Sequence, residues 1–574
     1  MGTLMGVIMT ASFVYIALKL GFGLSGSTVA AIAGFIVLRG AMGRRSIVEN
    51  NVQQTVASGI NTASAGIVFT LPALFLMSVK DPSLADFPIF PLIFSAIAGS
   101  LMGIVLIIPL RKQMVEFERL KFPSGMAVAT LLRSPGEGRM QGMLLLGGAG
   151  CALLLTVLVN LSILPEDLDI GHLFGLPTVV PFALYISAAN FGAGLLSGRG
   201  GLPFAVGGVL AWWVISPIAV FAGGWVEPPA AMPEAAVGAW QYGELYSQML
   251  RPLGIGLLIG GALAGIVSTL PAVKGAMQSL SAAAKTAAAG GSADEIDAKW
   301  VYTGAVGAFV LLFLAATFAT DDMGVGGALL VAVVGSVWLA LAGVIVATAT
   351  GHTDISPLSG LALIAVTLMF FLTAGNVTAA ILIGVAVCIA TNQCADMMSD
   401  LKTGHMVGAR PREQQIAQLL LCWIGPFVAI GVLMLLWNAP GDGTPGFGPM
   451  STTCISGVGD CLSAPQAGAL QGIIEALRDS DAAVDKYIGG AVLGGALSIF
   501  PIGGVAVLVG LAMYLPFSIT LAYGVGCLTS MGIERAWGKS FIGRKLIPFA
   551  AGLIVGEAMT QLVWTLGKLT MGGA

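Results

Sequence analysis

Charge is what this sequence has least of. Aspartate, glutamate, lysine and arginine together make up 10% of 574 residues, against 56% hydrophobic residues, and mean hydropathy is +0.92. A water-soluble protein of this length needs far more surface charge, so a soluble globular fold is excluded. Three scattered histidines, His172, His352 and His405, and the lack of any HExxH argue against a histidine-held metal. The seven cysteines form no CxxC pair. Trp537-Gly538-Lys539-Ser540 ends like a phosphate loop, but Ile533 stands where the required glycine would be. Nothing here calls for a cofactor or for nucleic acid. No cleavable leader is read either, because the chain enters an apolar segment without a basic start.

Apolar segments recur instead, from 1–18 to 546–567. Each approaches or exceeds the ~20 residues that cross a bilayer. The stretch 355–395 is long enough for two spans, turning near Gly375-Asn376, and 487–533 holds two or three, broken at Pro501 and Pro516. The expectation is an all-α polytopic membrane protein of about 16 transmembrane helices, within a range of about 15 to 17. The 80 glycines suit close helix contacts and broken or re-entrant helices. Arginine and lysine gather in alternate loops (Arg39 to Arg45, Arg111 to Arg139, Lys274 to Lys299, Lys402 to Arg412), while Asp81, Asp86, Glu166 to Asp169 and Glu227 to Glu244 fill the others. This predicts a cell (inner) membrane protein with a cytoplasmic N-terminus, the side of the C-terminus staying open.

Two pairs of segments echo each other at similar offsets, 24–34 with 355–365 and 180–196 with 515–528. A parallel duplication predicts one membrane repeat over 1–273, a cytoplasmic linker over 274–299, and a second repeat over 300–574 carrying an external loop at 438–486. Chance similarity between glycine- and serine-rich spans is the alternative. Within that loop Cys454 and Cys461 are placed on an oxidising face, where they form a disulfide or remain free thiols.

The polar outlier is the start of the third apolar segment, where Glu49, Asn50, Asn51, Gln53, Gln54, Thr55 and Ser58 run into a stretch uncharged from Asn50 to Val79. Such groups are costly against lipid and should face protein or a wet cavity. They read either as the lining of a pathway or as helix-packing and N-cap groups. Glu557 is the second outlier, the only charge between Lys545 and Lys568. A lone carboxylate at that depth costs about 3 kcal/mol or more unless paired or wet. It reads as a proton-coupling or substrate-amine group, or as a permanently protonated interhelical hydrogen bond.

Several blocks resemble the oligopeptide transporter superfamily (oligopeptide and yellow-stripe-like members), in its prokaryotic branch. They are YIALKLGFGLSGST (15–28), ENNVQQTVASG (49–59), FERLKFPSG (117–125), DLKTGHMVGARPREQQ (400–415), GLAMYLPFSITL (510–521) and GLIVGEAM (552–559). The resemblance implies proton-coupled uptake of peptides, peptide-like solutes or metal chelates by alternating access. It does not imply which cargo. The expected partners are membrane lipid, a small-molecule substrate and protons, with a homodimer left open.

A zwitterionic peptide needs an anion-receiving and a cation-receiving end. Helix N-termini at breaks near Ser25-Gly26-Ser27 and Ser356-Pro357 suit the carboxylate. Asn51, Gln53, Gln54, Tyr185, Asn190, Asn392 and Gln393 are the remaining candidate contacts. Glu557, Glu49 and Asp396 are the candidate proton-coupling acids. For Asp396, Asp400 and Lys402 an ordinary cytoplasmic loop pairing competes, and for Glu49 a membrane-edge pair with Arg44 or Arg45. A channel would need a filter or charge ring, which is not visible, and an intramembrane enzyme would need clustered acids, which only 396–400 approaches.

Overall fold

The computed structural model describes residues 1–21, 26–34, 37–38, 42–43, 46–84, 87–133, 138–171, 174–177, 180–222, 241–242, 244–261, 263–264, 267, 295–319, 324–353, 358–439, 444–448, 450–451, 462–478, 484–499 and 505–571. The described residues are overwhelmingly helical. A short antiparallel pair, β1 (Asp167–Asp169) and β2 (Ala183–Tyr185), sets Asp167 opposite Tyr185. Among the described residues, eight helices are long and apolar enough to cross a membrane. A ninth is added if Pro411–Leu421 and Ile424–Trp437, bent by 42°, form one span. The chain is an all-α polytopic membrane protein.

The first half contributes α1 (Gly2–Leu20), α2 (Gly26–Gly34), α3 (Ile47–Val68), α4 (Pro72–Ser78), α5 (Ile89–Arg111), α6 (Pro123–Arg133), α7 (Gly138–Asn160), α8 (Ala188–Ser197) and α9 (Leu202–Val209). The second contributes α10 (Ala298–Ala319), α11 (Gly324–Thr353), α12 (Leu358–Leu372), α13 (Val377–Val407), α14 (Pro411–Leu421), α15 (Ile424–Trp437), α16 (Pro465–Arg478), α17 (Val484–Leu497), α18 (Val505–Tyr514), α19 (Phe517–Phe541) and α20 (Ile547–Met571).

Burial runs opposite to that of a soluble protein. The polar helix α3 is enclosed, whereas the apolar α10 turns Trp300, Val306, Val310 and Phe318 outward. A hydrocarbon solvent rewards that arrangement, since backbone and side-chain polar groups must be satisfied inside the bundle. The central element is α13, 31 residues long and packed on α3, α5, α11 and α12. Its approach to α5 depends on small residues: a methyl at Gly103 would sit 2.6 Å from both the Ala390 carbonyl and the Gln393 Cβ.

Local signals set the helix starts. Ser46 caps α3 by accepting from the Glu49 N–H at 3.2 Å, so the cap comes from a residue ahead of the polar run and not from the run itself. Asn376 caps α13, accepting from Ala379 N at 2.9 Å after Gly375 at φ 90°, so a turn separates α12 from α13 at Gly375-Asn376. Ser187, extended at φ −134°, caps α8.

Two stretches differ from their sequence reading. Residues 396–400 are not a loop: they lie inside α13, because the turn-forming Gly408 comes only after Val407. The stretch 438–486 contains α16, whose first half is buried against α4 and the end of α1; Ala464 N donates to Leu18 O at 2.8 Å. Ser25, Ser356, Arg44, Arg45, Cys454 and Cys461 lie outside the described residues.

Candidate functional site

Two buried polar clusters stand out. The first is built by α2, α3, α13 and α14. On α3, Asn51, Gln54, Thr55, Ser58 and Thr62 repeat at helical spacing and share a face toward α13 and α14. Asp400 of α13 is 0% exposed. Its Oδ1 accepts from Ser27 Oγ at 2.9 Å and from Gln54 Nε2 at 2.5 Å, and its Oδ2 from Gln418 Nε2 at 3.4 Å. The Ser27 and Ser58 hydroxyls are 3.0 Å apart. Gln414 Nε2 donates to the Asp400 carbonyl at 2.9 Å and to Thr55 Oγ1 at 2.8 Å.

One turn earlier on α13, half-buried Asp396 accepts from Thr62 Oγ1 at 2.9 Å, and Asn392 donates to Thr62 O at 2.9 Å. Gln393 Nε2 donates to Gln418 Oε1 at 3.1 Å, and Asn51 Nδ2 to Gln54 Oε1 at 3.1 Å. The network is short of donors: Asn51 Oδ1, Gln393 Oε1 and Gln414 Oε1 are buried without a hydrogen-bond partner. Unspent buried acceptors are uncommon and mark places where a proton, water or ligand group can be received.

The second cluster joins α1, α8 and α20. Lys19, at the end of α1, is 0% exposed and places Nζ 2.7 Å from Glu557 Oε1 of α20. Ser187 Oγ lies 2.8 and 3.0 Å from the two Glu557 oxygens and donates to one of them, while Ala189 N donates to Oε2 at 3.0 Å. The carboxylate thus sits at the N-terminus of α8, where backbone N–H groups and the helix dipole favour an anion. The Lys19 ammonium also stands 4.7 Å from the centre of the Tyr185 ring and 5.5 Å from that of Tyr15. Next to this pair, both amide atoms of fully buried Asn190 have no hydrogen-bond partner.

The structure therefore divides the sequence-predicted residues. Ser27, Asn51, Gln54, Asn392, Gln393 and Asp396 meet in the first cluster; Tyr185, Asn190 and Glu557 meet in the second. Gln53 and Asn50 face α2 instead: a methyl on Gly34 would run into their carbonyl oxygens. Glu49 is half-buried at the first turn of α3. Sequence reasoning missed Lys19, Ser187, Gln414 and Gln418, and it read Asp400 as a loop residue. A signal existed for the glutamines, since Gln414 and Gln418 are four apart and share one face of α14.

The sequence model described as "OPT oligopeptide transporter protein" matches residues 1–567. A Haemophilus influenzae protein named "Putative oligopeptide transporter" is 26% identical to this chain, over 98% of this chain and 94% of its own length. A Saccharomyces cerevisiae protein of similar printed name is 35% identical over 101 residues, covering 17% of this chain and 14% of its own.

Proposed function

Because this chain belongs to the OPT oligopeptide transporter family, a family of transporters and not of enzymes, we propose that it carries oligopeptides across the membrane it spans, by alternating access and coupled to protons. The observation that carries this reading is the family match over nearly the whole chain, and two carboxylates buried among the helices supply groups on which a proton or a peptide terminus can act. Lys19 and Glu557 together offer one cation and one anion, the complement of a zwitterionic backbone. In this reading a peptide's carboxylate is received by Lys19 and its amine by Glu557, so the pair exchanges partners when cargo binds. Tyr185, Asn190, Asn51, Gln53, Gln54, Asn392, Gln393, Ser27 and, at the paired breaks, Ser25 and Ser356 line the path. The coupling proton then falls to carboxylates beyond that pair, with Asp396 and Glu49 the proposed members.

The same reading places the protein in the cell (inner) membrane with its N-terminus cytoplasmic. About 16 spans in two parallel repeats, 1–273 and 300–574, follow from the echoing segments and the usual architecture of such carriers. A Cys454–Cys461 disulfide in the external loop and a homodimer belong to it as well.

The test is uptake by purified protein in sealed vesicles. Labelled di- to tetrapeptides are expected to enter, and to accumulate above the outside concentration only under an inward proton gradient. Uptake of ferric or nickel chelates with no peptide uptake would replace the cargo. Solute flow that never exceeds equilibration under any gradient would replace the carrier with a channel.

A further inference from the structure

Two carboxylates are fully buried among the described residues, and they differ in company. Glu557 has a lysine ammonium at 2.7 Å. Asp400 makes no ion pair among the described residues and is met by neutral donors, the Ser27 and Ser58 hydroxyls and the Gln54 and Gln418 amides. A buried anion held by dipoles alone exchanges its charge for a proton far more easily than one neutralised by a cation.

The surroundings can also receive the proton. The Gln414, Gln393 and Asn51 amides are each fully buried, and each has an unpartnered oxygen. Gln414 binds the Asp400 backbone directly. Gln393 and Asn51 bind Gln418 and Gln54, the two amides that grip the carboxylate. An O–H on Asp400 thus arrives in a network already lacking donors.

We propose that Asp400 is the group that takes up and releases the coupling proton, and that the glutamines of α14 read its charge. This assignment rests on the proton-coupled reading above. The proton adds to one carboxylate oxygen on one side of the membrane, and the resulting O–H donates to a neighbouring amide or hydroxyl oxygen. On the other side the same proton leaves and the carboxylate regains its neutral donors. Ionised, Asp400 draws α2, α3 and α14 onto α13 through charge-assisted hydrogen bonds; neutral, it accepts only weakly, and the grip of Gln54 and Gln418 slackens.

Helix α14 is placed to pass this on. It bends by 42° into α15, and its Gln415 holds the segment entering the second half, accepting from Ile296 N at 3.0 Å and donating to Glu295. Few other ionisable groups face Asp400. Ser27 comes from α2, Gln54 and Ser58 from α3, and Gln414 and Gln418 from α14. Asp396, one turn back on α13, is the ionisable neighbour. Lys402 and His405 occupy the more exposed side of α13; Arg111 of α5 is engaged by Glu116 and Glu295; Arg133 of α6, with Arg412 and Glu413 of α14, are exposed.

The experiment compares wild type, Asp400→Asn and, as a control outside the cluster, Glu413→Gln in sealed vesicles. It reads exchange of labelled peptide between two equally filled sides, and accumulation driven by an inward proton gradient. The Asp400→Asn variant is expected to keep exchange, to lose accumulation, and to lose the dependence of exchange on pH. Glu413→Gln, which alters an exposed carboxylate on α14, is expected to retain all three. Accumulation by Asp400→Asn with the wild-type pH profile overturns the assignment alone. Wild-type uptake that ignores the proton gradient overturns the coupling reading, and this assignment with it.

Should Asp400→Asn fail to fold, wild-type protein treated with a hydrophobic carbodiimide, which attacks protonated carboxyls, gives the answer by peptide mapping. Labelling at Asp400 that falls as pH rises, in step with lost accumulation, supports the assignment. Labelling confined to other acids while accumulation is lost overturns it.

Discussion

Lys19 and Glu557 stand 538 residues apart in the chain and 2.7 Å apart in the fold, with side chains 0% and 4% exposed. Each charge would be prohibitive alone, and together they tie the first long helix to the last. The N-terminus of α8 and the Ser187 hydroxyl then complete the anion's shell.

Breaking this pair from one side should be costly. Glu557→Gln leaves an ammonium with no anion, and Lys19→Met leaves a carboxylate with only its dipolar donors. Removing one partner of a buried pair typically destabilises by about 3–5 kcal/mol. The double variant Lys19→Met, Glu557→Met should recover much of that loss, because two apolar side chains carry no desolvation penalty. Thermal unfolding in detergent reads the order, and peptide binding should be weakened in all three variants. If the double variant unfolds as early as the worse single one, the pair does not hold these helices as described.

Accessibility differs within the first cluster. Asn51 and Gln54 are fully enclosed, while Asn392 and Asp396, on the α13 face opposite Thr62, are half-buried. In a cysteine-free background, cysteine at position 392 or 396 should react with a small water-soluble thiol reagent at rest. Cysteine at 51 or 54 should react only while peptide and a proton gradient drive cycling. Steady reaction at 51 without substrate would show that this enclosure is open to water.

The polar run on α3, the isolation of Glu557 and the turn at Gly375-Asn376 were legible because each is a local departure from an apolar background. What could not be read was which spans meet. Lys19 carried no hint of Glu557, since hydropathy says that a charge needs company but not whose. Asp400 was misread for the opposite reason: Asp396, Ser399, Asp400, Lys402 and Thr403 together resemble a loop. Only the continuation of α13 to Val407 puts Asp400 inside, with Lys402 turned to the more exposed side. The paired breaks at Ser25 and Ser356 lie outside the described residues, so the repeat remains an argument from segment similarity.

One pH effect is expected outside the spans. Asp81, in the turn before α5, sits below the ordinary carboxylate range because the Ser83 hydroxyl donates to it, partial burial opposes the shift, and Arg478 of α16 pairs with it at 3.2 Å. A folded-state value depressed in this way gives stability that is complete above the unfolded value, near 3.9, and is lost as pH falls through the folded one. Opening of residues 79–84, read from hydrogen exchange corrected for the intrinsic rate at each pH, should be unchanged between pH 7 and 5. It should rise on acidification below about pH 4. Arg478→Gln should move that rise to higher pH, and an unaltered profile would show that Arg478 does not hold the turn.

The last prediction concerns the cluster at the end of α5, where Arg111 is 2% exposed and serves two carboxylates in different directions. Its Nε meets Glu295 at 2.5 Å and its Nη2 meets Glu116 at 2.7 Å. Glu295 in turn accepts from Gln415, fastening α14 to the start of the second half. A guanidinium can span both partners because its donors diverge in a fixed plane, whereas an ammonium is a point that must choose. Arg111→Lys should therefore lose much of what Arg111→Met loses. The carboxylates are not equal: Glu116 is 33% exposed and can be rehydrated, while Glu295 at 15% is more enclosed. Glu116→Gln should cost at most about 1 kcal/mol, as exposed pairs do. Glu295→Gln removes the partner that Gln415 also needs, leaves Arg111 with a single anion, and should cost several times more. Unfolding temperatures in the order wild type, Glu116→Gln, Glu295→Gln, Arg111→Met, from highest to lowest, would fit this arrangement. Equal losses at Glu116 and Glu295 would mean that burial is not what ranks them, and the fastening of α14 through Gln415 would have to be abandoned.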